Sequence, residues 1–245
     1  MWGGSSPAYP NGFPWMDPRN ALSDKYTVIA MDQRNAGRSV ADVKPDHGWH
    51  TFAADHLALM DHLGFKKFHV MGGCIGGSYC FEAIEQAPDR VPAAVLQNPI
   101  GLWENRENWD AAVKGYGETV RKRDPSISQD TIDSFGKNMF GSDFVFSVTR
   151  DFVKACRTPL YLQPGTDKPH PAHTSAEIAE LAPTSKSRRI GAGRSSCRTR
   201  SGACMHSSPS IRPDHDAPSC SCGGSRRRLR QRVLGTATDL GCGRQ

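Results

Sequence analysis

Beyond residue 187 this chain contains no lysine, glutamate, phenylalanine, tyrosine or tryptophan. A segment this poor in large apolar side chains cannot offset the entropy of ordering its backbone, so residues 188–245 are expected to form a disordered tail. That tail holds 12 Arg against 3 Asp and five of the eight cysteines, whereas residues 1–187 hold 19 Lys and Arg against 22 Asp and Glu. The basic pI of about 9.0 therefore belongs to the tail and not to the part that can fold. No apolar run approaches the roughly 20 residues of a membrane helix. No charged segment followed by an apolar stretch and a cleavage site opens the chain, which speaks against a secretion signal. Outside the tail only Cys74, Cys80 and Cys156 remain. An odd number of thiols gives no disulfide framework, and a reduced, cytoplasmic protein is the expectation.

What is present has a rhythm. "KYTVIAMD" (25–32) is a short β-branched run that reads as a buried strand. After the turn "NAGRS", "WHTFAADHLALMDHLG" spaces Phe52, Leu57, Leu59, Met60 and Leu63 near a helical period and stops at Gly64. "KKFHVMGG", "SYCFEAIEQAP" and "VPAAVLQNPI" then give strand, helix and strand. Alternation of this kind predicts an α/β fold with a mostly parallel sheet flanked by helices. Residues 101–156 break it with three amphipathic stretches, "NWDAAVKGYGETVRKRD", "SQDTIDSFGKNMF" and "DFVFSVTRDFVKAC", expected to form a helical cap inserted into the core. "TPLYLQPGTD" resumes with a strand ending near Asp167, and "TSAEIAELAP" predicts a helix with Thr174 or Ser175 as N-cap. After Pro183 the pattern dissolves. The expected division is thus core at 1–100, cap at 101–156, core again at 157–187, and tail at 188–245.

Between the second predicted strand and its helix stands Gly72-Gly73-Cys74-Ile75-Gly76. Small residues at this spacing let a chain turn tightly and hold the central side chain out at a helix N-terminus, where the dipole and free N–H groups favour a thiolate. A core filler does not need so strained a turn. Cys80, inside the helix, and Cys156 read as small apolar fillers.

The ordered set "WGGSSPAYP", "VIAMDQRNAGRS", "HVMGGCIGGSY" and "TPLYLQPGTD" resembles the α/β-hydrolase superfamily over residues 2–183. The segments correspond in turn to its oxyanion loop, its fourth strand and following turn, its nucleophile elbow, and the strand that delivers its acid. Asn35-Ala36 departs from the turn's pattern. The resemblance implies an acyl-transfer site in which Cys74 is the nucleophile, the backbone N–H groups of Gly4 and Ile75 form the oxyanion hole, and Asp167 is the acid. Cysteine in place of serine resembles the dienelactone hydrolases and directs the expectation to ester, lactone or thioester substrates. No cofactor and no metal is expected.

The resemblance also demands a histidine after the last strand, where the composition changes. His206 and His215 lie in no helical or strand pattern, so His170 of "GTDKPHPAHTS", held between Pro169 and Pro171, is the candidate base. The Arg, Ser, Gly, Pro, Ala and Cys mixture after residue 183 is what GC-rich DNA yields out of frame. A shifted frame with permitted third bases allows an amphipathic "LPDAVRRVHAFL", so a frameshift near that point is expected, as is loss of the first strands before Trp2. Nucleic-acid binding through "SRRRLRQR" (225–232) lacks an aromatic partner, and Cys220 and Cys222 lack the further ligands of a metal site. The expected partner is a small-molecule substrate, with no nucleic acid and no membrane. The competing expectation is a catalytically silent fragment or small-molecule binder of the same fold.

Overall fold

The computed structural model describes residues 17–187. Gly4 and everything expected of residues 188–245 lie outside the described residues. Among the described residues four strands, β1 (Val70–Gly73), β2 (Ala94–Gln97), β3 (Leu160–Gln163) and β4 (Ser185–Ser187), form one all-parallel sheet in chain order. Parallel neighbours cannot be joined by a hairpin, so each connection carries helix. Among the described residues two helices precede the sheet, α1 (Pro18–Leu22) and α2 (Trp49–His62), and α3 (Gly76–Gln86) links β1 to β2. The long passage from β2 to β3 holds α4 (Arg106–Arg123), α5 (Gln129–Phe140) and α6 (Arg150–Ala155), and α7 (Ala172–Leu181) joins β3 to β4.

The two faces of the sheet differ. Ala94, Leu96, Leu160 and Leu162 point to one face and pack with Phe81 and Ile84 of α3 and Ile178 of α7, all buried. Each such Leu contributes about 1.5–3 kcal/mol of transfer free energy. The alternate residues of the shared register, Met71, Val95 and Tyr161, face the other way, and Tyr161 is 44 % exposed. A second core lies over the C-terminal ends of the strands. There Trp109 and Tyr116 of α4 and Phe135, Met139 and Phe140 of α5 pack with Trp49 and Phe52 of α2 and Tyr79 of α3. The Trp49 indole donates to the Met139 carbonyl at 2.6 Å, which ties α2 to this cap.

Local chemistry explains several boundaries. Ser128 and Thr149 accept from Thr131 N and Phe152 N at 3.1 Å and cap α5 and α6. Gly64, at φ 78°, lets the chain leave α2 through a left-handed turn.

Four expectations are corrected. The run at 25–32 joins no ladder among the described residues. Tyr26 meets the His69 ring edge-on near β1, yet it is 54 % exposed and Ile29 37 %. β-propensity is realised through pairing and burial, and this run has neither. The stretch 143–149 is not helical, because Phe144 and Phe146 sit at φ 56° and 66°. Tertiary bonds hold that turn: Ser78 Oγ donates to the Val145 carbonyl at 2.8 Å and the Leu102 amide to the Phe144 carbonyl at 2.8 Å. Phe144 thereby enters the sheet-side core and Phe146 the cap core. The helix expected to start at Thr174 or Ser175 starts after Pro171, and Ser175 Oγ instead accepts from the Gly165 amide at 3.1 Å. Order also continues past Pro183, since Leu160, Tyr161 and Leu162 pair with Ser185, Lys186 and Ser187.

Candidate active site

Cys74 follows β1 directly, at φ 58°, and α3 begins two residues later. Its amide donates to the Gln97 carbonyl of β2 at 2.9 Å, so the sheet holds Cys74 on one side. The turn needs glycine at one point above all. A Cβ on Gly72 would stand 2.1 Å from the Gly76 carbonyl oxygen, so only a bare backbone lets helix and strand approach this closely. The first bond of the helix runs from the Gly77 amide to the Cys74 carbonyl at 3.1 Å. The Ile75 and Gly76 amides precede that ladder and belong to the donors a helix N-terminus leaves over.

Asp167 and His170 come from the loop between β3 and α7. The His170 amide donates to the Asp167 carbonyl at 3.1 Å and to its Oδ1 at 3.0 Å, closing a tight turn. The same Oδ1 lies 2.6 Å from His170 Nδ1. A carboxylate can only accept, so Nδ1 carries the proton and the lone pair of the neutral ring is on Nε2. Gly165 makes room for this arrangement, because a Cβ there would lie 2.3 Å from the His170 carbonyl oxygen and 2.5 Å from its Cβ.

The His170 side chain is only 14 % exposed, and its Nε2 is buried with no partner in good hydrogen-bond geometry. The Cys74 sulfur acts on the same ring. Burial pulls the imidazole toward its neutral form, but the Cys74 sulfur, by hydrogen bonding and by charge, and the Asp167 carboxylate outweigh that and hold it above the ordinary histidine range. The fold thus brings Cys74, His170 and Asp167 together from two distant segments. Ile75 stands beside them with its amide at the start of α3, and Gly4 lies outside the described residues.

The surroundings are apolar and aromatic. Cys74 and Ile75 pack against the cap core that contains Tyr79, Trp109 and Tyr116. Two further polar groups here were not legible in the sequence. The Tyr79 hydroxyl and Gln97 Oε1 are buried without a hydrogen-bond partner. A tyrosine inside "SYCFEAIE" and a glutamine ending a strand carry no signal that separates them from ordinary core and edge residues. Among the described residues no group of three or more His, Cys, Asp and Glu is placed to hold a metal ion, and no helix is long and apolar enough to cross a membrane.

Residues 3–192 match the α/β hydrolase fold family. The chain belongs to that family. Among curated relatives it is 33 % identical over 88 residues to RutD of Caulobacter vibrioides, which bears the name of a carbamate hydrolase, an alignment covering 36 % of this chain and 33 % of the relative. It is 37 % identical over 122 residues to a fluoroacetate dehalogenase from Burkholderia sp., covering 45 % of this chain and 40 % of that one. The chain thus spans a third to two fifths of these relatives. A hydrolase from Oleispira antarctica shares its fold with a TM-score of 0.55 at 17 % identity, covering 77 % of this chain and 79 % of that one. The N-acyl homoserine lactone degrading enzyme Est816 does so with a TM-score of 0.52 at 17 % identity, covering 76 % and 80 %.

Proposed function

We propose that this hydrolase-fold protein cleaves an activated acyl bond, in an ester, lactone or thioester, with Cys74 as nucleophile, His170 as general base and acid, and Asp167 as the group that orients His170. One observation carries the reading. His170 is bonded to Asp167 through Nδ1, its Nε2 is buried without a partner of its own, and the Cys74 sulfur of a left-handed strand-to-helix turn acts on the same ring. A filler cysteine requires neither the turn nor the histidine.

In this reading the Cys74 Sγ proton passes to His170 Nε2 as sulfur bonds to the carbonyl carbon, and the carbonyl π electrons move to oxygen. The Ile75 amide at the helix start donates to that oxyanion, with the Gly4 amide as its expected partner. Collapse breaks the bond to the leaving group, which takes the proton from His170. Water, deprotonated by His170, then attacks the acyl-thioester, and the thiol leaves with the proton restored. Asp167 keeps the imidazole in the required tautomer and stabilises the imidazolium.

A carbamate, like an ester, presents an acyl carbon, so kinship with a protein named as a carbamate hydrolase fits attack at a carbonyl. The aromatic cap against Cys74 favours an apolar acyl or leaving group, though substrate choice lies in side chains and not in the fold. The reading is tested with p-nitrophenyl and thioester substrates. Activity should rise with pH through an inflection above about 6.5, the ordinary histidine value, because the base must be neutral and its partners hold it protonated. Absence of stoichiometric Cys74 acylation during turnover would reject the nucleophile assignment, and absence of any turnover would favour a binding protein of the same fold.

A further inference from the structure

The cap begins with a residue whose side chain does not serve its own helix. Asn105 is the N-cap residue of α4, a position where asparagine ordinarily bonds the amides of the first turn, yet its side chain makes no such bond. It is wholly buried and spends all its bonds elsewhere. Its Oδ1 accepts from the Trp103 amide at 3.0 Å and from the Trp109 indole at 3.2 Å. Its Nδ2 donates to the Gly101 carbonyl at 3.0 Å and to the Lys168 carbonyl at 2.8 Å. An indole can only donate and a carbonyl only accept, so the partners themselves determine which way the amide faces.

Lys168 lies inside the turn between Asp167 and His170. Of the two carbonyls Asn105 holds, one therefore belongs to the loop that carries the acid and the base. Three other ties run between the same segments. The His173 ring stacks on Trp103 with centroids 3.6 Å apart, Lys168 pairs with Glu107, and Gly101 passes so near Thr174 that a Cβ would stand 2.3 Å from its Oγ1. The Lys168–Glu107 pair is exposed on both sides and holds little. Asn105 is the buried one. On its other side Trp109 belongs to the aromatic core against which Cys74 packs.

We propose that Asn105 is a positioning residue that holds the Asp167–His170 turn in register with Cys74 and joins it to the aromatic wall of the cap. This rests on the Cys74–His170 reading above and adds to it the group that sets the distance between its two partners.

The test needs no knowledge of the substrate. In the full chain, the short Asp167–His170 bond is expected to give a far-downfield proton resonance, and iodoacetamide is expected to alkylate Cys74 faster than it does in His170→Gln. Asn105→Ala should lose the resonance and slow Cys74 alkylation on the order of tenfold to a hundredfold, the range in which small misplacements of a catalytic group act. In the His170→Gln background it should slow alkylation no further, because its effect passes through His170. Trp109→Phe removes the indole donor but leaves the Lys168 bond, and should keep the resonance while lowering the melting temperature. If Asn105→Ala does not fold, Asn105→Ser, which cannot reach both carbonyls, carries the same measurements. A folded Asn105 variant that keeps the resonance and the alkylation rate, or one whose effect is equally large without His170, overturns the proposal. If His170→Gln itself leaves Cys74 alkylation unchanged, the Cys74–His170 reading falls and Asn105 with it. An effect of His170→Gln with none of Asn105→Ala removes the positioning role alone.

Discussion

The mouth and the interior of helix α3 each hold a cysteine, and the two could hardly differ more. Cys74 sits before the first turn, at a left-handed residue, half-buried and facing a histidine. Cys80 sits six residues on within the helix, buried among Phe81, Ile84 and Leu96, and burial pushes its thiol up to about 12. The same side chain on the same helix is a candidate reagent at one position and inert packing at the other. Position relative to the helix end, and what lies opposite, decides between them.

The largest expected effect sharpens that contrast directly. At pH 7 a thiol with a pKa of about 12 is ionised to roughly one part in 10⁵. A thiol reagent followed by peptide mass mapping should therefore modify Cys74 and leave Cys80 unmodified until the protein is denatured; comparable labelling of both would erase the distinction.

Next in size is catalysis. Cys74→Ala should lower hydrolysis of an activated ester on the order of 10²-fold or more, the scale of losing even one oxyanion donor, while Cys80→Ala leaves it nearly intact. Equal activity with and without the Cys74 thiol would make it a filler too.

Partial burial disfavours charge at His56 of α2 as well. Its ring sits edge-on to Tyr79, its Nε2 lies 2.7 Å from Gln33 Oε1, and burial, against a weaker pull from Asp55, lowers it to about 4. The unfolded chain takes up this proton near pH 6.5 and the folded chain only near 4. Stability from this group is thus complete above about pH 6.5 and lost as pH falls to about 4, a total of about 3 kcal/mol. Urea unfolding between pH 7 and 4 should show the loss, and His56→Gln should remove most of the slope.

The smallest effect compares the two sulfurs as packing. Cys80→Ser places a hydroxyl in an apolar core and should cost about 1–3 kcal/mol, whereas Cys74→Ser, at the helix mouth, should change the unfolding midpoint little. A larger loss at Cys74 would mean that the turn depends on its sulfur for stability.

Much of this protein is local, and that part could be read directly. The alternation of apolar runs with helical periods implies a parallel α/β sheet, and the glycines around Cys74 imply a strand-to-helix turn, because both follow from the reach of neighbouring residues. Gly64 ends α2 for the same reason. What escaped depends on partners far away in the chain. The run at 25–32 has strand composition but no ladder, and Phe144 and Phe146 leave helical geometry because Ser78 and Leu102 bind their turn. Spacing alone made His170 a candidate. Only the folded chain turns its Nδ1 to Asp167 and brings its ring under the influence of Cys74, since that depends on how the β3–α7 loop packs against the cap. Asn105 had no signature at all, because an asparagine before a helix predicts a cap, and its bond to Lys168 exists only once cap and sheet are assembled. The sequence by itself determined most of the elements and the thiol's place at a helix mouth, through short-range sterics and periodicity. Tertiary structure decided what faces that thiol, because contacts between distant segments are chosen by packing the whole core and not by any stretch within it.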